Sequence, residues 1–234
     1  MHKLVSFSAF IILATLSLNV PKANAFILIG NTDDTGTTHN IVGFDEQTGT
    51  FLDDFIANGV GGLDIPDDLT FGPDGNLYVS SGNYNNSADS AILRYDGKTG
   101  APLGVFASGG GLFRPYGTAF GSGSGGGKYL YVSSFISDQI LRYDGTTGQF
   151  VDVFASGGTG KSGDVNGPNS LLFGPDGSLY VTTEGTVANT FPNPTISQVL
   201  RFTPDQVGSS GRQTPTVFVD QPTEQPVCLN QHWG

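Results

Sequence analysis

A segment of about 50 residues recurs along this chain, and that recurrence limits the available folds more than any other feature. One copy runs from Ile65 to Gly110, the next from Arg114 to Gly158, and a third from Gly167 to Asp220. Tyr95 and Tyr143 lie 48 residues apart, as do Phe106 and Phe154. A constant period of this length means one supersecondary unit copied in series, each copy burying its apolar surface against the next.

Within a copy the pattern has period two. Leu77, Val79 and Ser81 alternate with Tyr78 and Ser80, and Ile92, Arg94 and Asp96 alternate with Leu93 and Tyr95. These runs are rich in β-branched and aromatic residues and are bounded by Gly, Asp and Pro. Pro73-Asp74-Gly75-Asn76 and Pro175-Asp176-Gly177-Ser178 read as tight turns, with Pro presetting one backbone angle and Gly taking the angle others avoid. Asp96-Gly97-Lys98-Thr99-Gly100 and Asp144-Gly145-Thr146-Thr147-Gly148 read as a second kind of hairpin turn. Each copy thus predicts four strands, which in the first are Asp68 to Gly72, Asn76 to Ser81, Ala91 to Tyr95 and Leu103 to Ala107. No helical period is expected after residue 25. The fold class is all-β. Four-stranded antiparallel units at this spacing predict the blades of a β-propeller. A β-sandwich is the competing architecture, but its strands are not expected to repeat in sequence.

The pattern P-x-x-L-x-F-G-P-D-G-N-L-Y-V-S, from Pro66 to Ser80, is followed by I-L-R-Y-D-G-x-T-G, from Ile92 to Gly100. It resembles the NHL-repeat family of propellers, and the wider group with sugar lactonase-like, paraoxonase-like and streptogramin lyase-like proteins. The resemblance covers Phe26 to Asp220. It implies a ligand site at the central mouth, where the innermost strands begin. Asp67, Asp68, Tyr116 and Asn169 stand at those positions. In lactonase-like propellers a divalent ion, often calcium, is held there by Asn, Asp and Glu, the oxygen ligands a hard cation needs. By that resemblance Asp67 takes the place of the ligand aspartate. Asn169 matches the P-N-G element, with Ser170 in place of its Gly, and Glu184 reaches the same region. Streptogramin lyase-like enzymes need a histidine at the mouth, and no histidine occupies a matching position here. Asp and Asn before a strand also close turns by bonding to nearby amides, and Asp74 and Asp176 are read that way.

The phase of the copies sets the blade count. Phe26 to Thr32, Asn40 to Asp45 and Thr50 to Ile56 align with the second, third and fourth strands of a blade, with no innermost strand before them. About four blades are accounted for between residues 26 and 220. Residues 221 to 234 either supply a closing strand or mark a frame cut short of a five- or six-bladed ring. Truncation is the reading preferred here, because the tail lacks the L-x-F-G pattern and holds the only Trp and the only Cys.

Residues 1 to 25 read as a signal peptide: Lys3, an apolar run from Phe7 to Leu18, and a small-x-small site at Ala23-Asn24-Ala25. That run is short for a membrane span, and no later stretch is apolar enough. Cleavage removes Lys3 and Lys22 and no acid, taking the net charge from −11 to −13. Such a surface disfavours nucleic acid and anionic membranes, and a single Cys228 allows no intrachain disulfide. The expected function is an exported, non-enzymatic binding or scaffold protein, periplasmic or secreted, for a protein partner or a small neutral ligand. The alternative is a calcium-dependent lactonase-like hydrolase or lyase with Asp67, Asn169 and Glu184 at its metal.

Overall fold

The computed structural model describes residues 26–33, 36–122, 128–184 and 197–220. The expected signal peptide (1–25) and tail (221–234) lie outside them. Four antiparallel sheets follow one another along the chain, each with its strands in sequence order. The first has three strands: β1 (Phe26–Thr32), β2 (His39–Asp45) and β3 (Phe51–Ile56). The second holds β4 (Leu69–Phe71), β5 (Leu77–Ser81), β6 (Ala91–Tyr95) and β7 (Pro102–Ser108). The third holds β8 (Pro115–Ser122), β9 (Lys128–Ser134), β10 (Gln139–Asp144) and β11 (Phe150–Ser156). The fourth holds β12 (Pro168–Phe173), β13 (Leu179–Thr183), β14 (Val199–Phe202) and β15 (Thr216–Val219). The first sheet lacks an innermost strand among the described residues, as its phase in the sequence requires.

One element departs from the sequence reading. A short helix, α1 (Pro204–Gly208), lies between β14 and β15, where no helix is expected. Thr203 caps it: its hydroxyl accepts from the Gln206 amide, and the Gln206 side chain accepts from the Thr203 amide. Pro204 opens the first turn, where a missing N–H costs nothing. At five residues the helix is too short to show a helical period.

Alternation along the strands places apolar groups on both faces of each inner sheet. Leu77 and Val79 pack with Ile41, Ile56 and Leu63, between the first and second sheets. Tyr78, on the opposite face, packs with Leu130, Val132 and Tyr143, between the second and third. Tyr131 points the other way from Leu130 and joins Phe154, Leu179, Val181 and Phe202, between the third and fourth. The core is therefore three layers, one per sheet junction. Fully burying a side chain of this size contributes about 1.5–3 kcal/mol. Edge-on ring pairs add to it: Tyr78 with Phe106 and Phe120 at 4.8 Å, and Tyr131 with Phe154 at 5.1 Å and Phe173 at 5.4 Å.

Polar groups fasten the same junctions. The Arg114 amide donates to Ser90 Oγ at 3.0 Å, and the Gly167 amide to Asp138 Oδ1 at 2.6 Å. The Thr118 amide donates to Asp68 Oδ2 at 2.8 Å, tying β8 to the start of β4. Arg142, almost wholly buried, pairs with Asp152 and donates to the Ser209 carbonyl at 2.8 Å, which docks the end of α1 on the third sheet.

The repeated D-G-x-T-G turn owes its last glycine to this stacking. Gly100 and Gly148 have φ near +70°, and a Cβ there would meet the Phe55 or Phe106 carbonyl oxygen at 2.0 or 1.8 Å. Gly49 has the same turn position and a φ of +67°, but nothing lies within 4 Å of its would-be Cβ. Gly49→Ala should cost about 1–2 kcal/mol, from the left-handed backbone alone. Gly148→Ala should cost clearly more, because the preceding sheet must also shift. Urea denaturation of both variants checks this, and equal costs would mean that the turn does not pack on its neighbour.

Candidate functional site

Three positions place side chains at one end of the sheets, and each recurs with the repeat. The first precedes a proline and carries a positive φ: Ile65 (+38°), Arg114 (+57°) and Gly167 (+53°). The second lies two residues on: Asp67, Tyr116 and Asn169. The third follows the next strand outward: Gly82 after β5, Phe135 after β9 and Glu184 after β13. Backbone bonds join the third to the first, from Phe135 to the Arg114 carbonyl at 3.1 Å and from Glu184 to the Gly167 carbonyl at 3.0 Å.

A hydroxyl frame holds these positions. Ser80 Oγ accepts from the Asp68 amide at 2.8 Å, Ser133 Oγ from the Gly117 amide at 2.7 Å, and Thr182 Oγ1 from the Ser170 amide at 3.0 Å. The Ser133 hydroxyl, on β9, also donates to the Asn169 carbonyl at 2.6 Å, which ties the third blade to the innermost strand of the fourth. A Cβ at Gly117 would lie 2.4 Å from that carbonyl, which explains the glycine there.

On this shared frame each sheet carries different chemistry. In the third sheet, Tyr116 and Phe135 stack at 4.4 Å. In the fourth, the same two positions are polar, and the Asn169 side-chain amide donates to a Glu184 carboxylate oxygen. In the second, Asp67 meets the guanidinium of Arg114, which reaches across from the third sheet. The sequence-predicted residues are thus divided. Asn169 and Glu184 are brought into contact. Asp67 is engaged by an arginine that sequence reasoning missed. Aligning the repeats shows the signal: Arg114 stands where the other copies have Ile65 and Gly167. Asp68 faces inward and accepts from Thr118 and Thr70 hydroxyls at 2.5 and 3.2 Å. Asp74 and Asp176 close their turns, accepting from Asn76 and Ser178 amides at 3.1 and 3.0 Å, and these bonds hold both carboxyls below their usual range. For Asp74 they outweigh burial, the largest single influence on it.

A hard cation asks for several oxygen donors. Among the described residues no three of His, Cys, Asp or Glu lie together as a metal-binding group. Asn169 and Glu184 suit such an ion as two donors of a larger set. Asp67 suits it less, since a cationic side chain already occupies its carboxylate. His39 is the one histidine among the described residues. It sits 3.3 Å from Asp64, which also accepts from Asn83, and takes no place beside a serine nucleophile.

No protein-family model matches the chain, and no curated protein matches it. Solved structures do. A putative gluconolactonase aligns over 84% of this chain and 60% of its own, at 17% identity and a TM-score of 0.55. A gluconolactonase of Xanthomonas campestris aligns over 79% and 58%, at 18% identity and a TM-score of 0.51. A structure of a nidogen/laminin complex aligns over 84% and 62%, at 16% identity and a TM-score of 0.53. The fold is a β-propeller. Its four sheets are blades, and the recurring positions above line the end at which the innermost strands begin. At these identities the likeness speaks to fold alone. The chain spans about three-fifths of the length of these three structures.

Burial raises the Asp67 carboxyl from 3.8 to about 6, against the opposing pull of Arg114 and with a smaller push from Asp68. The folded chain therefore holds this proton to higher pH than the unfolded chain. The stability it contributes is full below 3.8 and is lost as pH rises through about 6. Arg114, Asp68 and Tyr116 are the ionisable groups facing it. Asp67→Asn cannot titrate. Between about pH 4 and 6 the native chain should lose stability relative to that variant. Thermal melts across this range measure the difference, and parallel curves would refute it.

Proposed function

We propose that this chain is the site-bearing part of an exported, lactonase-like propeller hydrolase that takes a hard divalent cation, calcium foremost, at its mouth. The observation that carries the reading is the Asn169–Glu184 pair. At two positions where the third blade has an aromatic stack, the fourth has two oxygen-bearing side chains in contact. Structural likeness to gluconolactonases supports the choice of reaction class without deciding it.

Asn169 and Glu184 would be the cation's donors from this blade. The cation would supply Lewis-acid polarisation of an ester or lactone carbonyl. The chain's own residues do the rest. β9 and β13 hold the backbone beside the pair, through the Ser133–Asn169 and Thr182–Ser170 hydrogen bonds. The exposed Glu184 gives its carboxylate to the mouth rather than to the core.

A second reading, a non-enzymatic binding propeller, is favoured by a different observation. Asp67 is neutralised internally by Arg114, which leaves that sector without a free carboxylate. Hydrolysis of gluconolactone, followed by proton release, separates the two. The hydrolase reading expects turnover that needs a divalent cation, stops with chelator, and falls at least tenfold in Glu184→Gln and in Asn169→Ala. Hydrolysis at the uncatalysed rate, with or without cation, would overturn it in favour of the binding reading.

A further inference from the structure

Arg114 is an unusual residue for its position. It is a cation, its side chain is 2% exposed, and its backbone is left-handed at φ +57°. A buried charge needs compensating partners, or it costs several kcal/mol. Those partners come from two blades. From the second blade, the carbonyls of Gly82 and Ile65 accept from Nη1 at 2.6 and 3.2 Å, and Asp67 supplies the counter-charge. Two aromatic rings stand beside the guanidinium as adjacent walls. The Tyr84 ring centroid is 4.7 Å from the guanidinium carbon and the Tyr116 centroid 4.9 Å, with the two hydroxyls in contact. The Arg114 Nε is buried and has no hydrogen-bond partner among the described residues, so on that edge the group is held by ring faces rather than acceptors.

The surrounding chain is shaped to deliver these rings. Tyr84 lies in the loop between β5 and β6. Asn83 folds that loop by accepting from the Asn85 and Asn86 amides at 2.9 and 3.0 Å, and anchors it by donating to Asp64 at 2.9 Å. Tyr116 opens β8 and is backed by Phe135. Two aromatic faces and a carboxylate around a flat cation are what recognition of an organic cation requires. They are not the oxygen shell of calcium.

We propose that Asp67, Tyr84 and Tyr116 form a cage for a planar organic cation, filled by the chain's own Arg114, and that this sector of the mouth is closed to a metal ion. The cage is independent of the hydrolase reading, which rests on the fourth blade.

The test uses Arg114→Ala in the full chain, melted with methylguanidinium at concentrations far below denaturing, and separately with calcium. The variant should melt below the native chain and regain stability, saturably, with methylguanidinium. The native chain should show no such gain. Restabilisation by calcium instead, or by neither, overturns the cage. A second measurement does not depend on that variant folding. Tyr84 is 48% exposed, so Tyr84→Ala removes one wall at the surface. Phenylglyoxal modification at Arg114, read by mass spectrometry, should then run roughly tenfold faster than in the native chain, the scale of one partly exposed cation–π contact. Equal rates would overturn the assignment.

Discussion

The structure depends on one constraint: each inner sheet is apolar on both faces, so neither can face water. β5 is buried along its whole length, Leu77 to Ser81. β1 is the equivalent strand in the first sheet, and each of its residues is at least partly exposed. The difference lies in neighbours and not in composition, for Phe26, Ile27 and Ile29 are as apolar as Leu77, Tyr78 and Val79. Stability in such an array comes from junctions, and a blade without a neighbour on each side carries exposed apolar surface. The repeated glycines follow from the same rule. Gly100 and Gly148 sit against a preceding blade and allow no side chain.

The junctions also build the site. Neighbouring blades approach closely enough for Ser133 of β9 to bond the Asn169 carbonyl, and for Thr118 of β8 to bond Asp68 across blades. That fixes the backbone at the mouth and leaves three side-chain positions per blade free to differ. The second blade pairs Asp67 with Arg114, the third stacks Tyr116 on Phe135, and the fourth joins Asn169 to Glu184. Scaffold and candidate site are separated in this way: the repeats hold the frame, and departures from the repeat distinguish the side chains at the mouth.

The fold was legible because a period and a two-residue alternation are local properties. The strands of the first sheet fall where their phase in the repeat puts them. Helix α1 was not legible, although its capping pair Thr203 and Gln206 stands in plain sequence, since five residues cannot display a 3.6-residue period. At the mouth, Asp67, Tyr116 and Asn169 could be placed by counting along the repeat. Their partners could not. Arg114 acts through a long side chain that crosses from one blade to the next, and Tyr84 acts from a loop outside the pattern. Asp67 therefore looked like a metal ligand from sequence, while the folded chain surrounds it with a cation of its own.

The proposed cation site lies on the fourth blade and excludes the second. Calorimetric titration of calcium into the full chain, Glu184→Gln and Asp67→Asn tests that assignment most directly. Binding that disappears in Glu184→Gln and persists in Asp67→Asn is the predicted result. Binding that persists in Glu184→Gln and disappears in Asp67→Asn would contradict it.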